Sequence, residues 1–265
     1  MTFIPQHAIV TGSDSGIGRA TAVALAKSGL DLGVTWHSDE DGAGETAEEI
    51  RAEGRRAEIA QLDTSDLQNC GDVIDDLVDR LGGVDVFVNN AGTGSNTHAL
   101  DLTLDEWRKV IATDLDGAFV CMQRAARRMV SAGNGGRLIA VTSVHEQQPR
   151  VGFAAYDAAK HGLGGLTKTL AIELGEHGVT ANCVAPGEIA TAMNNAEGED
   201  PRSQARPGIP LRRPGDAREV AAVIAFLAGD QASYVTGATW AVDGGMLQMG
   251  PQAGSDMSTD DWRSV

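Results

Sequence analysis

Tyr156 and Lys160 stand four residues apart in the stretch Val141 to Lys160, VTSVHEQQPRVGFAAYDAAK. On a helix that spacing puts the phenol and the ammonium on one face, a turn from each other, where the cation favours the tyrosinate. A phenol titrating near ~10 is a poor acid or base at neutral pH, and a neighbouring cation moves it toward general acid–base use. Ser143 closes the apolar run RLIAVTS. At the end of a buried strand its hydroxyl can reach the same substrate oxygen. Taken singly, the three are equally an ordinary core tyrosine, a surface lysine and a loop serine, because short motifs match by chance. The elements that would position them therefore decide.

The short apolar run His7 to Val10 enters Thr11-Gly12-Ser13-Asp14-Ser15-Gly16-Ile17-Gly18, and a helical pattern follows through Lys27. Strand, glycine turn and helix start, in that order, suit a pyrophosphate: glycines allow close backbone approach and the helix N-terminus offers free amides. A tight strand-to-helix turn with no ligand is the competing reading. The second strand, Leu32 to about Trp36, ends at Thr35-Trp36-His37-Ser38. An acid at that end would hold a ribose 2′-hydroxyl and repel a 2′-phosphate. None occurs before Asp39, so His37 and Ser38 are candidate phosphate donors, which favours NADPH over NADH.

Further along, Gly42 to Gly54 is helical, Ala57 to Leu62 is a third strand ending at Asp63, and Asp66 to Leu81 is a helix with Val73, Ile74, Leu77 and Val78 on one face. Val84 to Val88 is a fourth strand, nearly continuous in apolar residues as a strand buried on both faces should be, and ends in Asn89-Asn90-Ala91-Gly92. One long helix is expected from Leu104 to Ser131, burying Trp107, Val110, Ile111, Leu115, Phe119 and Met122. Gly133 to Gly136 turns the chain into strand five, and Phe153 to His177 forms the helix that carries Tyr156 and Lys160. Its small residues Ala155, Ala158, Ala159, Gly162 and Gly165 fit a close helix neighbour, in a subunit contact or against the sheet. Strand six, Val179 to Val184, leads to Pro186-Gly187-Glu188-Ile189. Residues 190–213 lack a firm pattern and read as a substrate loop. Asp216 caps a helix, Thr239 to Val242 is the last strand, and residues 246–265 form an extended polar tail. Strands alternating with helices at this spacing imply an α/β Rossmann fold, a doubly wound parallel sheet of about seven strands with helices on both faces, in a single domain spanning 1–265. Every marked turn falls at a carboxyl strand end.

The formal net charge of −16 disfavours nucleic acid and anionic membrane as partners. No apolar run of membrane-spanning length occurs, and the start MTFIPQH does not resemble a signal peptide, so a cytoplasmic location is expected. Cys70, Cys121 and Cys183 have neither metal-type nor CxxC spacing and read as free thiols, with no metal site.

Together these motifs resemble the short-chain dehydrogenase/reductase family over essentially the whole chain. TGSDSGIG is similar to the family's TGxxxGIG, NNAG is shared, Ser143 with YDAAK is similar to its Ser and YxxxK, and PGEIAT to its PGxIxT. The resemblance implies Tyr156 as acid/base, Lys160 holding the nicotinamide ribose and lowering the tyrosine pKa, and Ser143 on the substrate oxygen. It also implies Asp63 on the adenine, Asn90 to Gly92 lining the coenzyme cleft together with Pro186 and Gly187, and Ile189 and Thr191 at the carboxamide. Where many members carry a catalytic Asn in NxxG, this chain reads Asp114-Leu115-Asp116-Gly117. In the family that residue supports a water joined to the lysine, and Asp114 is expected to hold such a water while raising the lysine's proton affinity. SVHE, Met193-Asn194 and SYVTG…DGGM look like the bacterial glucose 1-dehydrogenase and acetoin-reductase-like branch, making His145, Glu146 and Asn194 candidate substrate contacts beside a polar-loop reading of equal weight. The implied function is hydride transfer between NADP or NAD and a carbonyl or secondary alcohol of a small polar substrate, a sugar or small hydroxyketone, by a homotetramer. The alternatives are a 3-oxoacyl thioester reductase and a non-catalytic NADP(H) sensor.

Overall fold

In the computed structural model, residues 3–191 and 200–250 are described. Seven strands form one all-parallel sheet in the order β3-β2-β1-β4-β5-β6-β7: β1 His7–Val10, β2 Asp31–Trp36, β3 Ala57–Gln61, β4 Val86–Asn89, β5 Gly136–Val141, β6 Val179–Pro186 and β7 Thr239–Val242. Successive side chains on a strand point to opposite faces, so each apolar strand feeds two cores. Val10, Val88, Ile139 and Val141 pack on one face under α1 (Gly16–Lys27), α2 (Glu40–Ala52) and α7 (Ala217–Ala228). Ile9, Phe87, Leu138 and Ala140 pack on the other under α3 (Cys70–Leu81), α5 (Gly117–Ala132) and α6 (Ala154–Glu173). This is the expected doubly wound arrangement. The strand order reverses between β1 and β4, and the crevice at such a reversal is where a ligand finds both a glycine turn and free strand ends.

Several boundaries differ from the sequence reading, each for a local reason. Residues 66–69 turn before α3 begins, held by Asn69 Nδ2 donating to Asp66 Oδ2 at 2.8 Å. α6 stops at Glu173, and a single 3₁₀ turn carries the chain to Gly178, whose φ of 72° ends it. The segment expected as one helix from Leu104 to Ser131 is three pieces: α4 (Leu104–Ile111), a π turn at Ala112–Asp116, and α5. The inserted π residue rotates the helix face, and Phe119, expected inside, is 42 % exposed. Of the small residues on α6, Ala155 and Ala159 are buried, and Gly162 faces the chain's own Leu115, to which an added Cβ would come within 2.9 Å of Cδ2. Past β7, Met246–Gln248 is a 3₁₀ turn rather than extended chain, and residues 251–265 lie outside the described residues.

Gly117 starts α5 so close to the β3 loop that an added Cβ would stand 2.0 Å from the Thr64 carbonyl oxygen. Gly44, inside α2, has nothing within 4 Å of that position. Gly117→Ala is therefore expected to destabilise by about 1–3 kcal/mol through overpacking, and Gly44→Ala to stabilise by about 0.4–1 kcal/mol. Urea unfolding of the two variants checks the pair of signs.

Candidate active site

A cavity of about 840 Å³ opens along the carboxyl ends of the strands and is lined from the glycine turn to the start of α6. At one end, Gly12 and Gly16 adopt φ of 60° and 54°, and a Cβ on Gly18 would lie 2.0 Å from the Gly12 carbonyl oxygen. The chain can turn this tightly only without side chains there. Ser15 is the N-cap of α1 but makes no side-chain cap bond, and the first turn carries no acid. The amides at Gly16 and Ile17 thus meet the cavity with no side chain of the first turn or N-cap competing for them. These residues fit a dinucleotide pyrophosphate. Ser13 and Gly18 were expected as coenzyme contacts and sit behind the turn instead. The Ser13 hydroxyl donates to Val10 O at 2.7 Å and accepts from Thr35 N at 3.1 Å, and Gly18 serves close packing. Asn90 lines the cavity, but its amide is committed to the Thr11 and Gly12 carbonyls at 3.0 and 2.9 Å, fastening the glycine turn to β4.

Beyond β2, His37, Ser38 and Asp63, the residues expected to meet the adenosine, line the cavity together with Trp36. Asp63 accepts from the Ser65 hydroxyl at 2.6 Å and amide at 2.8 Å, and the hydroxyl bond is the main reason its carboxyl lies below the usual range. His37 Nε2 is 3.7 Å from Asp63 Oδ2. Asp39 caps α2 through Gly42 N at 3.0 Å. Burial raises Asp14 above an ordinary carboxyl despite a main-chain bond, and the nearby Asp39 charge adds to the effect.

At the other end, α6 presents Tyr156 and the buried Lys160, whose Nζ is 5.2 Å from the phenol ring centroid. The π turn aims the fully buried Asp114 inward, and its Oδ2 lies 3.1 Å from Lys160 Nζ while Oδ1 accepts from Thr93 N at 2.7 Å. Asp114 thus meets the ammonium directly. Burial alone would pull Lys160 down, but the Asp114 carboxylate, and after it Tyr156, overrule it and hold the lysine above its ordinary value. Gly92 leaves the necessary room, since a Cβ there would reach 3.0 Å from Asp114 Oδ2 and 3.3 Å from Lys160 Nζ.

Ser143 lines the same cavity and accepts from His145 N at 3.2 Å, opening a 3₁₀ turn at Val144–Glu146. The His145 ring donates through Nδ1 to Gln148 O at 2.9 Å and stands edge-on to Tyr156, with centroids 6.2 Å apart. Glu146, expected at the substrate, points the other way. It is buried, accepts from Thr142 Oγ1 at 2.7 Å and Thr239 Oγ1 at 3.0 Å, and so ties the serine loop to β5 and β7. Pro186, Gly187, Ile189 and Thr191 line the cavity, whereas Asn194 lies outside the described residues. Sequence reasoning missed Lys109, Thr113, Arg150 and Phe153 on the wall. For Arg150 a signal existed: it is the one cation between Ser143 and Tyr156.

A family profile described as Enoyl-(Acyl carrier protein) reductase matches residues 12–247. The chain belongs to the short-chain dehydrogenase/reductase family. An uncharacterized oxidoreductase, YohF, of Escherichia coli K12 is 51 % identical over 247 residues, covering 93 % of this chain and 98 % of its own. A 3-oxoacyl-[acyl-carrier-protein] reductase of Staphylococcus epidermidis is 39 % identical over 91 % of this chain and 98 % of its own. The crystal structure of acetoin dehydrogenase YohF from Salmonella typhimurium superposes with a TM-score of 0.90 at 49 % identity, covering 94 % of this chain and 98 % of that one. As a member of the family, the protein is an oxidoreductase that moves hydride between a nicotinamide coenzyme and a carbonyl or alcohol.

Removing one partner of a buried ion pair leaves the other charge uncompensated, so Asp114→Ala is expected to destabilise by about 3–5 kcal/mol at pH 7. The sign with pH follows from Lys160. A pKa raised in the folded state gives stability that is complete below the unfolded lysine value of 10.5 and is lost only above it. In the variant, burial, the largest single influence on Lys160, is no longer opposed by the carboxylate and depresses the lysine, so stability recovers as pH rises toward 10.5. The gap between wild type and variant should narrow through the alkaline range and close only beyond 10.5, as followed by urea unfolding at stepped pH.

Proposed function

We propose that the chain is one coenzyme-binding and catalytic unit in which Tyr156 is the acid/base, Ser143 holds the substrate oxygen, and the Lys160–Asp114 pair sustains the charge beneath them. The observation that carries this reading is the buried ammonium one helical turn from a cavity-lining phenol, with Ser143 on the same wall. When bound, the nicotinamide supplies or accepts the hydride. In the reducing direction the Ser143 hydroxyl and the Tyr156 O–H hold the carbonyl oxygen, and Tyr156 passes its proton to that oxygen as charge develops. Lys160 keeps a positive charge beside the phenolate so formed, and Asp114 keeps Lys160 protonated. Gly16, Ile17 and the cavity wall from His37 to Asp63 hold the dinucleotide. The substrate proposed is a small polar hydroxyketone or sugar, in keeping with the acetoin dehydrogenase at TM-score 0.90.

The Staphylococcus relative favours a second reading, reduction of a 3-oxoacyl thioester. Against it, a carrier protein is acidic and would meet a body of net charge −16. We place the protein in the cytoplasm, on the strength of three free, buried cysteines; among the described residues no helix is long and apolar enough to cross a membrane. A homotetramer is supported by the open edge of β7, where Trp240 and Phe226 pack with centroids 5.6 Å apart and stay partly exposed, and by Ile172 at 83 % exposure near the end of α6. Sedimentation equilibrium is expected to give four chains.

NADPH is the proposed preferred coenzyme, because β2 ends without an acid and His37 and Ser38 face the cavity. Asp63 beside His37 offsets part of that attraction, so NADH binds as well and the preference stays within about tenfold. Tyr156→Phe should lower turnover by about 10²- to 10⁴-fold while leaving coenzyme affinity within twofold by fluorescence titration. Retained turnover would remove Tyr156 from the chemistry, and a wild type that binds coenzyme yet reduces no acetoin, aldose or 3-oxoacyl thioester would make it a sensor. In the same titration His37→Asp should reverse the coenzyme preference. Equal affinities in the wild type would defeat that assignment.

A further inference from the structure

The chain is strongly acidic, and its surface arginines are largely matched to carboxylates: Arg19, Arg80, Arg124, Arg128, Arg213 and Arg218 each pair with one. Two cations on the cavity wall are not. Arg150, in the loop entering α6, and Lys109, on α4, line the cavity, and no carboxylate among the described residues meets either side chain. Asp157 accepts from the Arg150 main-chain N–H at 3.0 Å, which fixes the loop and leaves the guanidinium untouched. That guanidinium instead has its Cζ over the Phe153 ring, 4.7 Å from the centroid, and Phe153 in turn packs edge-on to Tyr156 at 6.0 Å. A stack of two rings therefore links the cation to the residue that would handle the reacting oxygen.

The remaining charges at this end of the cavity cancel. Asp114 is balanced by Lys160, and Glu188 is balanced by Arg206 at 2.6 Å. The adenosine wall with Asp14 and Asp63 is at the other end, where the glycine turn accounts for the pyrophosphate. A guanidinium over an aromatic face keeps all its N–H donors free at the rim, and its fork matches an oxyanion. We propose that Arg150, assisted by Lys109, is a specificity-determining pair for an anionic substrate: a hydroxy or oxo acid whose carboxylate lies at the cavity mouth while its carbonyl or alcohol carbon lies at Tyr156. This deepens the proposed hydride-transfer reading and rests on it, replacing a neutral hydroxyketone with its carboxylate-bearing counterpart as the better substrate.

The test compares 4-oxopentanoate, its methyl ester and acetoin as substrates for the purified wild type and for Arg150→Met, with oxidation of NADPH and NADH followed. The wild type should reduce the acid with a kcat/KM at least tenfold above the ester. Arg150→Met should cost the acid about 10- to 100-fold, in KM rather than kcat, and leave the ester and acetoin within twofold. Arg150→Lys should recover part of the loss. An ester as good as the acid, or equal losses on acid and ester in Arg150→Met, overturns the assignment while hydride transfer stands. No turnover of any of the three with either coenzyme also overturns the assignment, while the hydride-transfer reading falls only if aldoses and a 3-oxoacyl thioester fail as well.

Discussion

The contact on which the site depends is the ion pair between Asp114 and Lys160, 3.1 Å apart and out of reach of solvent. Neither charge would be tolerated there alone, since burying an unpaired ion is far more expensive than burying a polar group. The neighbourhood is shaped to keep the two together. A π turn brings Asp114 round to face α6, Gly92 leaves the space between β4 and the pair empty of side chain, and the Thr93 amide fixes the second carboxylate oxygen at 2.7 Å. The phenol above then faces a cation that the carboxylate holds in place and keeps protonated at neutral pH.

The second constraint is the parallel sheet. Because all its carboxyl ends face one way, the glycine turn after β1, Asn90 after β4, Ser143 after β5 and Pro186 at the end of β6 come to a single crevice from four distant parts of the chain. The strands hold that register because each carries apolar side chains to both faces, as Val10 and Ile9 or Val88 and Phe87 show. A one-residue slip would exchange the two cores at once.

That logic made much of the molecule legible before any coordinates. Continuous apolar runs bounded by glycines marked the strands, and the four-residue spacing of Tyr156 and Lys160 marked the helix that carries them. What stayed hidden has a common character. The π turn at Ala112–Asp116 leaves no signature in composition, since one added residue changes the helical phase without changing the residue types. Glu146 looked like a substrate contact because sequence proximity to Ser143 says nothing about direction, and only the hydroxyls of Thr142 and Thr239 show which way it turns. Ser13 and Asn90 likewise sit in the expected motifs, yet their side chains serve the backbone of the turn.

The inward turn of Glu146 also couples two positions that no motif joins. Its Oε1 occupies the space where a Cβ on Gly164 would stand, only 2.3 Å away. Those positions share a single volume, so evolution or design can widen one only by shortening the other. A homologue with a larger residue on α6 at that point must reach the serine loop with a smaller side chain, and would have to find another anchor for it on the final strand.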